Sequence, residues 1–159
     1  MTHPADGGDR GSEDGRPPLE VAIAGLPVEF QHLVRAALAV AGRAYAPYSG
    51  FRVGAAVLGG SGRIHAGCNV ENASYPVGLC AERNAVGTAV AEAEPRIVAV
   101  AVAPADPSVR TLTPCGMCRQ FLAEFGSDLP VAILEGGAWV VRPISALLPA
   151  GFTLPAGGE

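Results

Sequence analysis

Two short segments constrain this chain more than any other feature: Cys80-Ala81-Glu82-Arg83, and Thr113-Pro114-Cys115-Gly116-Met117-Cys118-Arg119-Gln120. Between Cys80 and Cys115 lie 34 residues, so if three sulfurs serve one metal, the fold must return the second segment to the first. Residues three apart share a helix face. A helix starting at Cys115 therefore puts the sulfurs of Cys115 and Cys118 near one point, and Cys80 supplies a third sulfur from the start of another helix. Three protein ligands leave a tetrahedral metal one position for water, which separates a catalytic zinc from a closed structural one. Alone, Cys-x-x-Cys also fits a redox pair or half of a structural zinc site; the joint pattern narrows the choice.

Charge explains why both segments belong at helix starts. Three thiolates around a divalent zinc leave a net negative charge, which weakens the metal as a Lewis acid and is hard to bury. Helix N-termini offer free N–H donors and partial positive charge, and Arg83 and Arg119 are expected to add full positive charges beside the sulfurs. Glu82 lies two residues from Cys80. In the first turn of a helix both side chains can lean over the end, so this carboxylate can carry a proton between bound water and a substrate. Cys68 sits in a strand-like stretch and reads as a small buried apolar residue. His3, His32 and His65 lie outside the pattern, and none needs a catalytic role.

Residues 1–20 are rich in Gly, Asp, Arg and Pro and are expected to form a disordered tail; residues 21–159 are expected to form a single domain. Periodicity predicts helices over 27–44, 80–94 and 115–125, the first ended by Pro47 and the second stopped before Pro95. Strands are predicted over 51–58 and 64–70, joined as a hairpin, then over 97–102, 131–134 and 139–142. That order implies an α/β fold, a mixed sheet with helices on its faces. The 11 Lys and Arg against 15 Asp and Glu, with no basic run, argue against nucleic acid as a partner. No secretory leader and no membrane span are recognisable, so a cytoplasmic setting is expected and the four cysteines read as metal-binding or reactive. Charged residues are only 16%, a hint of surface hidden in an oligomer.

A ligand-x-Glu element followed by Pro-Cys-x-x-Cys is the arrangement of zinc deaminases. From about Phe30 to Phe152 the chain resembles the small, homotetrameric class of cytidine deaminases. The matching stretches include Ala44-Tyr45-Ala46-Pro47-Tyr48-Ser49, Phe51-Arg52-Val53-Gly54-Ala55-Ala56, Gly67-Cys68-Asn69-Val70-Glu71-Asn72-Ala73-Ser74-Tyr75 and Leu147-Leu148-Pro149-Ala150-Gly151-Phe152, besides the two cysteine segments. The resemblance implies a three-layer fold on a five-stranded mixed sheet, one Zn2+ per subunit on Cys80, Cys115 and Cys118, and hydrolytic deamination of cytidine and 2′-deoxycytidine, with zinc-activated water attacking C4 and Glu82 as proton shuttle. It also implies Asn69 and Glu71 on the ribose hydroxyls, Phe51 on the base, the Ala81 N–H on the base carbonyl, the Thr113 carbonyl on the departing amine and Arg83 as charge compensation. Phe152 would reach a neighbouring subunit's site within a homotetramer. The rivals are a deaminase of modified cytosine nucleosides of the blasticidin S type, a polynucleotide-editing deaminase, and a non-enzyme with a structural zinc.

Overall fold

The computed structural model describes residues 22–154; the tail expected over 1–20 lies outside them. After a 3-10 turn at Ile23–Gly25 comes helix α1 (Val28–Ala41), with Pro27 at its N-cap position. The stripe expected of it is buried at Phe30, Leu33, Val34, Ala37 and Ala41, with Leu38 half-buried. The helix ends at Gly42, short of residue 44, and Pro47 plays no part in stopping it. Tyr45 is instead drawn into pairing with the opposite loop: its N–H donates to the Asn69 carbonyl at 3.0 Å, and the Glu71 N–H donates to the Tyr45 carbonyl at 2.8 Å.

Strands β1 (Val53–Gly59) and β2 (Ile64–Cys68) form the expected antiparallel hairpin, in register from Gly54 opposite Cys68 to Leu58 opposite Ile64. It is shorter than expected at its open end, where the Asn69 side chain replaces a backbone partner. Its Oδ1 accepts the Val53 N–H at 2.7 Å and its Nδ2 donates to the Phe51 carbonyl at 2.9 Å. Then follow α2 (Ala81–Ala91), β3 (Ile97–Pro104), α3 (Gly116–Ala123), β4 (Pro130–Glu135), β5 (Ala138–Pro143) and the short helix α4 (Ile144–Leu147), which the sequence pattern did not announce. The sheet order is β2-β1-β3-β4-β5, with β3 and β4 parallel and every other pair antiparallel. The parallel pair is the one joined through a helix, as a crossover requires.

Alternate strand residues face opposite sides. A Cβ on Gly54 would lie 2.0 Å from the Ala37 carbonyl oxygen of α1, and a Cβ on Gly67, opposite Ala55, would lie 2.4 Å from the Ala85 nitrogen of α2. The two helices therefore cover opposite faces of the hairpin, each at a glycine where backbone meets backbone. Helix α2 stops before Pro95 can act: Ala93 turns into the left-handed region at φ 60°, the Ala93 N–H donates to Val90 at 3.0 Å and the Glu94 N–H to Ala89 at 3.1 Å. This is a Schellman closure built on alanine.

Beyond that end, the buried His65 ring has its two nitrogens 3.1 Å from Glu92 and Glu94 carboxylate oxygens, and Arg63 Nε bonds Glu94 at 2.9 Å. The Ser61 hydroxyl first, then the Ser61 N–H, His65 and Arg63, hold the Glu94 carboxyl down to about 2. His65 thus has a structural place at the end of α2 opposite Cys80. Gly54→Ala should cost about 2–3 kcal/mol in urea unfolding by overpacking α1 against β1; a loss under about 0.5 kcal/mol would mean that α1 can slide away.

Candidate functional site

Cys80 is the N-cap residue of α2 and Cys115 the N-cap residue of α3, both with extended backbone, and Cys118 sits in the first turn of α3. The two segments meet because α2 and α3 begin at the same end of the sheet. The loop before α3 is registered there by Leu112, which exchanges backbone hydrogen bonds with Leu134 of β4 at 2.8 and 3.1 Å. The three sulfurs lie within 4.8 Å of one another, with Cys80 and Cys115 3.9 Å apart, and among the described residues no fourth His, Cys, Asp or Glu donor joins the cluster. Three soft donors at two helix starts, where unpaired N–H groups offset thiolate charge, suit zinc with one open position. Cys68 stands apart, half-buried, its carbonyl accepting the Asn84 amide at 3.0 Å.

The protonation pattern follows from the crowding. The hydrogen bond from Cys118 draws Cys80 down to about 5, helped by Arg83 and Cys115 against the cost of burial. The same bond, then burial and the nearby Glu82 charge, push the Cys118 thiol up. Glu82 is 4% exposed, and burial, with the Cys80 charge behind it, raises its carboxyl above the usual range. A carboxylate more ready to hold a proton is what a proton carrier needs.

The two arginines expected beside the sulfurs are held in different ways. Arg83 donates from Nη2 to the Gly78 carbonyl at 2.8 Å, its Nε is buried without a partner among the described residues, and it acts directly on Cys80. Arg119 is committed elsewhere: Nε donates to the Pro114 carbonyl at 2.7 Å, Nη1 to the Leu147 carbonyl at 2.8 Å and Nη2 to Thr113 Oγ1 at 2.9 Å. It staples the loop before α3.

A cavity of about 490 Å³ opens over Cys80 and Arg83, walled by Asn69, Glu71, Tyr48 and Tyr75. Asn69 spends its amide on the open end of the hairpin, as described. Glu71 accepts the Tyr48 N–H at 2.8 Å, the Ser49 N–H at 3.2 Å and the Ser49 hydroxyl. The Ser49 hydroxyl above all keeps it ionised by lowering its pKa. Phe51 borders an adjoining cavity with Ser49 and Arg52. Ala81 is buried in the first turn of α2, Thr113 is half-buried beside Arg119, and Phe152 projects from the chain at 68% exposed. The fold thus gathers the three cysteines, Ala81, Glu82 and Arg83, sets Asn69 and Glu71 on the wall, and leaves Phe152 outside its own cavity. Ser49, as the partner of Glu71, and Gln120, whose amide pairs with Phe152, were not singled out beforehand. The only signal for either was its position inside a matching stretch.

The Cytidine and deoxycytidylate deaminase zinc-binding region matches residues 28–133. The chain is similar to a cytidine deaminase of Halalkalibacterium halodurans, 43% identical over 79% of this chain and 96% of that protein. It is likewise similar to a cytidine deaminase of Mycobacterium tuberculosis, 46% identical over 80% and 92%. Among solved structures, the cytidine deaminase of Mycobacterium tuberculosis superposes with a TM-score of 0.71 at 41% identity, covering 80% of this chain and all (100%) of that one. That of Burkholderia pseudomallei gives 0.70 at 41%, covering 76% and 97%.

Arg83→Ala removes the one cation acting on Cys80. It should speed zinc loss to a chelator and weaken metal affinity about 10- to 100-fold, followed by metal analysis; native retention would remove the charge-offset role.

Proposed function

The chain belongs to the cytidine and deoxycytidylate deaminase zinc-binding family, and from that premise we propose that it hydrolyses the exocyclic amine of free cytidine and 2′-deoxycytidine, giving uridine and 2′-deoxyuridine with release of ammonia. The observation that carries this is the buried Glu82 carboxyl against Cys80 and Cys118, in a cluster of three sulfurs at two helix starts whose Cys80 lines an open cavity. Zinc bound by Cys80, Cys115 and Cys118 supplies Lewis acidity toward the attacking water there.

The chain's own groups do the rest. As the water oxygen bonds to C4, Glu82 accepts its proton and passes it to N3; Glu82 then carries the second proton to the leaving amine as the C4–N bond breaks. The raised pKa of Glu82 supports that exchange. The Ala81 N–H, unpaired within its helix as first-turn donors are, binds the base carbonyl, and the Thr113 carbonyl receives the departing amine. Asn69 and Glu71 hold the ribose hydroxyls: Glu71 stays an acceptor because its pKa is lowered, and Asn69 carries both a donor and an acceptor. Phe51 offers its face to the base.

Residues 21–159 act as a single domain. The working unit is a homotetramer in which Phe152 of one subunit enters the site of another. The exposure of Tyr75 at 76% and Val77 at 67% beside the cavity, and of Phe152 away from it, supports surfaces that an assembly covers. No helix among the described residues is long and apolar enough to cross a membrane, and ligation by reduced thiols suits the cytoplasm. The net charge of -4 supports a free nucleoside over a polynucleotide.

Glu82→Gln should keep its zinc and lose about 100- to 10,000-fold in kcat for cytidine, followed by ultraviolet absorbance. Turnover near the native rate would end the proton-carrier assignment. Sedimentation should return four 16.1 kDa chains per particle; a monomer with full activity would end the shared-site reading.

A further inference from the structure

Helix α3 holds the C-terminal segment at two points with consecutive residues. Arg119 Nη1 donates to the Leu147 carbonyl at 2.8 Å. One turn of chain later, Gln120 pairs both main-chain groups of Phe152: its Nε2 donates to the Phe152 carbonyl at 2.6 Å, and the Phe152 N–H donates to its Oε1 at 3.4 Å. A side-chain amide used in this way copies a peptide unit in a β-ladder. The backbone of Phe152 is therefore held while its ring stays 68% exposed. Between the two holds, Gly151 folds back on Leu148, its N–H donating to the Leu148 carbonyl at 3.2 Å, and a Cβ there would lie 2.9 Å from the Leu148 side chain. Among the described residues past Leu147 there is no strand, so the course of residues 148–154 depends on this clasp.

We propose that Gln120 is a positioning residue for substrate binding in the neighbouring subunit. Its amide aims Phe152 from the helix that also carries Cys118, so the same rigid element that holds a metal ligand in one subunit sets the aromatic wall of the next site. This rests on Phe152 acting across subunits, as proposed above. Gln120 itself does not touch substrate. Its loss affects how well the wall is held and so acts on nucleoside binding, while the proton transfer at Glu82 stays as it is.

The test compares Gln120→Ala, Gln120→Glu, Phe152→Ala and the double variant Gln120→Ala/Phe152→Ala in the zinc-loaded assembly. Steady-state kinetics on cytidine are read together with zinc content and sedimentation. Gln120→Ala should raise KM about five- to tenfold, as the loss of one to two hydrogen bonds implies, with kcat within about twofold of native and zinc and assembly unchanged. Gln120→Glu, which keeps the shape and loses the donor, should do the same. In the double variant KM should match that of Phe152→Ala alone, because the two residues act as one unit. Native KM in Gln120→Glu, or additive effects in the double variant, would overturn the clasp. A raised KM in Phe152→Ala with native KM in Gln120→Ala would overturn it too, leaving the cross-subunit reading standing. An unchanged KM in Phe152→Ala would defeat that reading and the proposal with it.

Discussion

Three sulfurs that must all give up their protons to hold a metal have to be brought within 4.8 Å of one another, and the rest of the fold can be understood from what that requires. Like charges at that separation repel, and burial makes the repulsion worse. Two responses are built in. Cys80 and Cys115 occupy N-cap positions, so the unpaired N–H groups of two first turns face the negative charge. Arg83, one residue past Glu82, adds a full positive charge and is tethered by the Gly78 carbonyl so that it stays near Cys80. Glu82 lies inside this balance: burial raises its pKa, while its own backbone N–H, then Cys118 and last Arg83, oppose the rise.

Holding two helix starts together places demands at a distance. Helix α2 is fixed at its far end by the alanine-based Schellman closure and the Arg63, His65, Glu92 and Glu94 group. Its flank is set by backbone contact at Gly67, while α1 grips the other face at Gly54. Alanine at Ala93 in the left-handed region costs about 1 kcal/mol against glycine. Gly87, by contrast, has no packing partner within 4 Å of a would-be Cβ beyond its own helix backbone and chain neighbours, so its helix-propensity cost has no explanation inside the described residues. Helix α3 is fixed mainly through its loop, by Leu112 against Leu134 and by Arg119 across Thr113 and Pro114. The motif residue Arg119 therefore serves geometry as well as carrying charge.

The cavity wall shows the same economy of polar groups. Asn69 closes the open end of the β1/β2 hairpin and Glu71 orders the turn at Tyr48 and Ser49. Both side chains are thus held by the fold itself; a ligand that bonded them would not have to order them. Carboxylate and amide oxygens retain second lone pairs for a ligand.

Local chemistry was legible in the linear chain because it depends on spacing. Cys80, Glu82, Cys115 and Cys118 could be assigned to two helix starts from their own neighbourhoods, and alternation and glycine turns located all five strands to within a few residues. Helix ends were less legible. The first helix stopped at Gly42 because Tyr45 pairs with residues 69–71, and the second at Ala91 because of a closure without glycine. Both are decided by partners distant in sequence or by a conformation alanine rarely adopts. What only the tertiary structure decided is which partners hold each of two similar arginines, that His65 is a pin between carboxylates, and that Gln120 holds Phe152. Each is a choice among hydrogen-bond partners that lie far apart along the chain, and such a choice exists only once packing has brought the candidates within about 3 Å.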